Sequence, residues 1–149
     1  LHVRSRRQRQ MCIRDSIAGF AVADDVSMRG FQGRTSEWLQ GKVWEASTPV
    51  GPWLVTPDEL SKGARILTHV NGEVRQESHV ADVVFSPEQL VAYASQLITL
   101  NPGDLILTGT PAGVALARKD EEGRRPWLRA GDVVEVEITG LGRQRNELC

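Results

Sequence analysis

The sequence predicts a strand-rich α+β domain, and three of its stretches carry that prediction. Asn71-Gly72 stands between two extended runs, which is the strongest short-range signal of a two-residue β-hairpin. Residues 133–138 alternate valine or isoleucine with glutamate, as a half-exposed strand does. Residues 86–98 have the spacing of an amphipathic helix. The 149 residues, 40% hydrophobic and 25% charged, suit one domain with a core.

Further extended segments are predicted on either side of that hairpin. The run IAGFAVADD, residues 17–25, reads as a buried strand that ends on two carboxylates. TSEWLQGK, residues 35–42, predicts a short helical turn that a glycine stops. LILTG, residues 105–109, reads as another buried strand. Residues 131–148 complete the sheet as a second hairpin, and the charged residues 117–126 form a surface loop.

The helix is the element with the clearest boundary signals. Ser86 is the predicted N-cap, Pro87 suits the first helical position, and Gln89 closes a capping box with the serine. One face of the predicted helix is apolar. Its members are Leu90, Val91, Ala94, Leu97 and Ile98.

The first sixteen residues differ from the rest in charge. Five arginines and one aspartate give residues 1–16 a net charge of +4, so residues 17–149 carry −5 of the total of −1. A basic arm could bind nucleic acid by neutralising phosphates. The body, however, shows neither a basic stripe nor aromatic residues among its lysines and arginines. We therefore expect no nucleic-acid partner.

A different origin explains this arm better. Read back into codons, residues 6–16 (RRQRQMCIRDS) match without a gap the end sequence that transposase-based library preparation attaches. Residues 1–16 are thus predicted to be a disordered adapter scar, and the natural chain is expected to enter at or near Ile17 with its N-terminal part missing.

Cellular location and cysteine usage are unexceptional. The sequence contains no run of roughly 18 apolar residues and no apolar core of a secretory signal, so we expect a cytoplasmic protein without a membrane partner. Cys12 and Cys149 lie near the two ends, which argues against a disulfide framework or a cysteine metal site.

Three groups of residues could carry chemistry, and each has an ordinary structural alternative. Asp24-Asp25 could offer oxygen ligands to a hard cation, or they could be solvated carboxylates at the end of a strand. The cationic and amide side chains near them could contact an anion, or could simply be surface residues. These are Arg29, Gln32 and Lys42.

The third group is the turn LTGTPAGV, which follows the second apolar run. Its hydroxyls and backbone N–H groups, including those at Thr108, Gly109 and Thr110, could bind a carboxylate or an oxyanion. It lacks the spacing of a phosphate-binding loop, so by itself it could also be a plain tight turn.

Taken in order, five blocks of this sequence resemble the fumarylacetoacetate hydrolase family. They are AVADDVSMRGFQ, WLQGKVWEASTPVGPWLVTPDEL, VNGEVRQ, VFSPEQLVAYASQLITLNPGDLILTGTPAGV and LRAGDVVEVEITGLGRQRNEL. The likeness covers nearly all of residues 17–149 and is strongest to the bacterial 2-hydroxyhepta-2,4-diene-1,7-dioate isomerase and 5-oxopent-3-ene-1,2,5-tricarboxylate decarboxylase group. It implies a mixed β-roll with flanking helices, a catalytic domain that lacks its N-terminal part.

The resemblance also implies a function and a site. Such proteins are homodimers that bind Mg²⁺ or Mn²⁺ and cleave, decarboxylate or isomerise 2-oxo or enolic dicarboxylic acids in aromatic-compound catabolism. Asp25 matches the metal ligand, and Lys42 matches the cation that stabilises the enolate or oxyanion. Arg29 would grip a substrate carboxylate with support from Gln32, and Thr110 would cap the other carboxylate.

The resemblance further implies that important groups lie upstream of Ile17. In the family a general base and two more metal ligands come from that part of the chain, so this fragment is expected to be weak or inactive and to associate through an unpaired edge. A non-catalytic scaffold or partner subunit of the same fold is the alternative. The motifs do not separate hydrolase, isomerase and decarboxylase.

Overall fold

The computed structural model describes residue 13 and residues 15–149. The adapter scar was predicted for residues 1–16. Residues 1–12 and 14 lie outside the described residues, so the scar stays a prediction. Among the described residues, no helix has the length and apolar character needed to cross a membrane.

A four-stranded antiparallel sheet forms the centre of the fold, which confirms the strand-rich α+β class. The strand order is β2-β1-β3-β4. Both predicted hairpins are present, and the first turns at Asn71 and Gly72 with φ of 52° and 82°, the left-handed conformation that this turn requires. The strands are β1 (Arg65–Val70), β2 (Glu73–His79), β3 (Val133–Ile138) and β4 (Gly142–Glu147).

The core is small and lies on one face of this sheet. Val134 and Val136 project from β3, as their alternation with glutamates predicted, and they pack with Val22 and Leu141. Partly buried apolar residues surround this cluster; they are Phe20, Val55, Leu60, Val70, Ile138 and Leu148.

Residues 17–25 do not form the predicted strand. Val22 is fully buried as expected, but the segment pairs only through two isolated bridges, Phe20 with Val55 and Ala23 with Val50. The opposing segment contains prolines at 49, 52 and 57. Because proline has no N–H to donate, that segment cannot continue a ladder.

The two α-helices within residues 15–149 are unequal in length. Helix α1 (Arg29–Gln32) is a single turn, and helix α2 (Pro87–Leu97) has the predicted cap. Gln89 N–H donates to Ser86 Oγ at 3.3 Å, and Ser86 N–H donates to Gln89 Oε1 at 2.8 Å. The predicted turn before Lys42 is also present, as a 3₁₀ helix at Leu39–Gly41. Two further 3₁₀ turns of the same length occur at Val80–Asp82 and Ala115–Ala117.

Residues 105–109 do not form the predicted buried strand. They belong to no strand, and the leucines and isoleucine of that run are exposed. The apolar face of helix α2 is also open, since the helix has no buried residue and Leu97 is 70% exposed, while Ile98 lies beyond the last helical residue. Local signals set the helix ends, but burial needs a neighbouring element, and the described residues place none against these faces.

Candidate functional site

An ion pair joins two of the predicted site residues across seventeen positions of the chain. Lys42 Nζ donates to Asp25 Oδ2 at 2.6 Å and to the Asp25 carbonyl oxygen at 2.9 Å. Each side chain is about one-third exposed, so the pair remains open to solvent and to a ligand. The two contacts fix the ammonium beside the carboxylate at the end of the 17–25 segment.

A close backbone approach places Lys42 there. The turn before it docks on helix α1, where Gly41 accepts a hydrogen bond from Met28 N–H at 2.9 Å. A Cβ on Gly41 would lie 2.8 Å from Gln32 Cβ, which is too close for any side chain. Glycine is therefore required at position 41, and this close approach fixes the backbone from which the Lys42 side chain extends.

Helix α1 holds the other predicted anion contacts. Arg29 Nη1 donates to Gln32 Oε1 at 2.5 Å, and Gln32 is buried. The Arg29 guanidinium also lies 5.6 Å from the centre of the Trp127 ring, within cation–π range. Burial lowers the pKa of Arg29, yet arginine stays charged at any physiological pH. The buried glutamine thus holds a cation in one orientation.

Asn146 of β4, which the sequence motifs did not indicate, contacts the neighbouring carboxylate of Asp24. Asn146 Nδ2 donates to Asp24 Oδ2 at 3.2 Å and to Gln144 Oε1 at 3.3 Å. Burial raises the pKa of Asp24, and the adjacent charge of Asp25 adds to this, while Asn146 and Lys42 act against it.

Gln144 fixes the backbone beneath that carboxylate. Its Nε2 lies 2.7 Å from the Val22 carbonyl oxygen, 2.7 Å from that of Gly51 and 3.3 Å from that of Pro49. One buried amide therefore bridges the two segments that proline prevents from pairing as strands. Two amides at alternate positions of the last predicted strand were the sequence signal for this network.

Thr110 lies in a separate part of the site. Gln76 of β2 donates from Nε2 to Thr110 Oγ1 at 2.8 Å and to the Pro111 carbonyl oxygen at 2.8 Å. Among the described residues, no hydrogen bond joins Thr110 to the Asp25–Lys42 pair. The two parts line one broad cleft of about 2400 Å³, more than the roughly 300–1,000 Å³ of a single ligand pocket.

Asp24 and Asp25 could supply only some of the ligands in the coordination shell of a divalent cation. Asp24 and Asp25 are hard oxygen donors of the kind that Mg²⁺ and Mn²⁺ prefer. Asp25 Oδ2 is held by Lys42, whereas its Oδ1 has only a long contact of 3.4 Å with the Thr48 hydroxyl. No group of three potential metal ligands occurs in the described part of the chain.

Comparisons with known proteins show one consistent likeness. The family model described as "Fumarylacetoacetate (FAA) hydrolase C-terminal" matches residues 3–149. A 2,4-didehydro-3-deoxy-L-rhamnonate hydrolase of Sphingomonas sp. (strain SKA58) is 43% identical over 138 residues, which cover 89% of this chain and 46% of that protein. A mitochondrial oxaloacetate tautomerase of Homo sapiens is 45% identical over 130 residues, covering 85% and 40%.

Solved structures show the same likeness. The 2-hydroxyhepta-2,4-diene-1,7-dioate isomerase of Mycobacterium marinum has a TM-score of 0.78 at 33% identity, covering 93% of this chain and 50% of that one. Fumarylpyruvate hydrolase of Pseudomonas aeruginosa, solved in complex with Mn²⁺ and pyruvate, has a TM-score of 0.77 at 31% identity, covering 93% and 57%. The chain thus spans about half the length of the proteins it matches.

Proposed function

The chain belongs to the fumarylacetoacetate hydrolase family. From that membership we propose that it functions in a divalent-metal-dependent enzyme whose substrates are 2-oxo or enolic dicarboxylic acids. The reaction would be hydrolysis of a C–C bond, decarboxylation or isomerisation. The similar proteins are named as hydrolase, isomerase and tautomerase. These names support a shared enolate chemistry, and they do not favour one of the three reactions. A cytoplasmic homodimer in aromatic-compound catabolism completes the proposal.

The contact between Lys42 and Asp25 is the observation that carries this function. A divalent cation beside Asp25 would withdraw electron density from a bound 2-oxo acid and so favour its enolate. Lys42 places a fixed positive charge at the same point, where one donor can change a rate by roughly 10²–10³. The ammonium is held twice by Asp25, so it is oriented before substrate arrives.

The remaining predicted residues supply recognition of the acid groups. Arg29 presents a guanidinium that Gln32 orients, and a guanidinium can bind a carboxylate through two parallel hydrogen bonds. Thr110 offers a hydroxyl at the other part of the cleft, suited to a second carboxylate. The separation of these two parts supports a dicarboxylic substrate.

We further propose that this chain alone is a weak catalyst. Its described residues offer the cation two neighbouring carboxylates, one of them already paired with Lys42. A cation held by so few protein ligands keeps most of its waters and binds weakly. This incomplete ligand set also supports the alternative, a non-catalytic scaffold or partner subunit of the same fold.

Metal binding tests the proposal without requiring turnover. Titration of the chain with Mn²⁺, followed by electron paramagnetic resonance, should show weak binding that falls about tenfold or more in Asp25→Asn, because a ligand charge is lost. Asp58→Asn, which removes an exposed carboxylate elsewhere, is the matched control. Lys42→Met should instead tighten Mn²⁺ binding, since a competing cation is removed.

The outcomes separate the two functions. Mn²⁺ binding that depends on Asp25, together with pyruvate binding that Lys42→Met weakens, would support the enzyme. A chain that binds neither probe would favour the scaffold. Turnover of an oxo acid by this chain at the rate of a full-length relative would contradict the proposed weakness.

A further inference from the structure

We propose that Gln76 is a positioning residue that aims the hydroxyl hydrogen of Thr110 at a substrate carboxylate. This inference rests on the proposed function, because it concerns how Thr110 would hold an oxo acid. Gln76 lies on β2 opposite Thr68, and both residues line the same cleft as Thr110. The role follows from the hydrogen-bond polarity of three groups.

The Pro111 carbonyl sets the orientation of the amide. A carbonyl oxygen can only accept, so the atom of Gln76 that lies 2.8 Å from it must be the amide nitrogen. The same nitrogen lies 2.8 Å from Thr110 Oγ1. Both hydrogens of the amide are thereby used, one for each oxygen.

The polarity of the contact with the threonine follows at once. An amide nitrogen has no lone pair free to accept a hydrogen bond, so Thr110 Oγ1 must be the acceptor in this contact. The hydroxyl then keeps its own hydrogen for another partner. Since Thr110 is exposed to the cleft, that partner can be a ligand, and a carboxylate oxygen accepts such a hydrogen strongly.

The loop around Thr110 is anchored on the same strand. Gly113 has a φ of 113°, and a Cβ there would lie 2.0 Å from the Arg75 carbonyl oxygen, so no side chain fits. The Gly-Thr-Pro turn is thus hydrogen-bonded to β2 through Gln76, and the backbone at Gly113 packs closely against β2 at Arg75. A fixed loop keeps the oriented hydroxyl in place.

Binding of 2-oxoglutarate, a 2-oxo acid with two carboxylates, in the presence of Mn²⁺ tests the role by isothermal titration of the full 149-residue chain. Thr110→Val removes the hydroxyl and should weaken 2-oxoglutarate binding about tenfold or more, whereas Thr110→Ser should retain it. Gln76→Met keeps the side-chain length but removes both donors, and should weaken binding about three- to tenfold. Gln40→Met, at an exposed glutamine that does not line the cleft, is the matched control.

Two further variants distinguish orientation from general damage. In the Thr110→Val background, Gln76→Met should cause no additional loss, because the hydroxyl it orients is gone. Gln76→Glu should bind 2-oxoglutarate more weakly than Gln76→Met, since a carboxylate would draw the threonine hydrogen to itself. Thermal unfolding of each variant shows whether it folds, and the glutamate variant serves if the methionine variant does not.

Each result has a definite meaning. A loss shared and non-additive between Gln76 and Thr110 supports the inference. Binding that responds to Thr110→Val, while Gln76→Met behaves like Gln40→Met, overturns the inference and leaves the proposed function standing. A chain that does not bind 2-oxoglutarate with Mn²⁺ overturns the proposed function and this inference with it.

Discussion

The apolar side chains of residues 133–138 and those of residues 105–107 differ sharply in burial. Val134 and Val136 are 3% and 4% exposed, whereas Leu105 and Leu107 are 68% and 45% exposed. The first run is β3, which lies between β1 and β4 and pairs with both. The second belongs to no strand. Neighbours on both sides, rather than the apolar character itself, determine burial.

The same contrast separates the two parts of the candidate site. The Asp24–Asp25 part is attached to the sheet through Gln144 and Asn146, which contact the buried core segment. Within the described residues, side-chain hydrogen bonds hold Thr110 itself only from Gln76 of β2. We therefore expect changes in the first part to affect folding, and changes in the second part to affect binding.

Charge placed among the apolar side chains of residues 133–138 and 105–107 should have the largest and most unequal effects on stability. Val136→Asp buries a carboxylate with no partner in the core, and should lower the free energy of unfolding by about 4 kcal/mol or more. Leu105→Asp places the same group in solvent and should change it by less than about 0.5 kcal/mol. Urea unfolding followed by circular dichroism measures both.

Equal destabilisation by the two substitutions would contradict this contrast. It would mean that residues 105–107 are buried in solution by a partner that the described residues do not provide. The midpoint should be measured at several protein concentrations, because association through the exposed apolar run would make it concentration-dependent.

A smaller effect is expected at the amide that links the sheet to the carboxylate segment. Gln144→Met keeps the volume but leaves the part-buried Gly51 carbonyl without its donor, while the Val22 carbonyl keeps only the hydrogen bond from Gly51 N–H. It should cost about 1–2 kcal/mol of unfolding free energy and weaken Mn²⁺ binding as well. Arg145→Met, exposed on the opposite face of β4, should cost less than about 0.5 kcal/mol. A Gln144 variant as stable as the Arg145 variant would refute the bridging role.

Signals contained within a few residues were sufficient to predict several elements. The Asn71-Gly72 hairpin, the Ser86 cap and the alternation in β3 each depend on turn geometry or side-chain period, and all three are confirmed. Residues 17–25 were mispredicted because their pairing depends on prolines that lie some thirty positions away. Whether residues 17–25 pair as a strand depends on their tertiary neighbours, which the local sequence pattern does not contain.

The candidate site shows the same division. The sequence blocks identified Asp25 and Lys42, and the structure brings them into contact. Gln76, Gln144 and Asn146 were missed because a polar residue in a strand has no motif of its own. Their roles arise from the distant groups they reach, such as Thr110 and Asp24.

The smallest predicted effect concerns the carboxylate that joins the two hairpins. Asp132 accepts hydrogen bonds from Asn71 Nδ2 at 2.9 Å and from Arg129 N–H at 2.8 Å, and these lower the pKa of Asp132 below its ordinary value of 3.8. A lowered pKa means stability that is present above pH 3.8 and is lost as the pH falls through the folded-state pKa.

Asp132→Asn should therefore lower the melting temperature at pH 7 by about 2–4 °C. The difference from wild type should shrink as the pH falls below 3.8, because the wild-type carboxyl also becomes neutral there. Differential scanning calorimetry between pH 2 and 7, with Asp58→Asn as the control for an exposed carboxylate, measures both. A constant difference across this range would show that the amide distorts the turn, and that the charge of Asp132 does not stabilise the junction of β1 and β3.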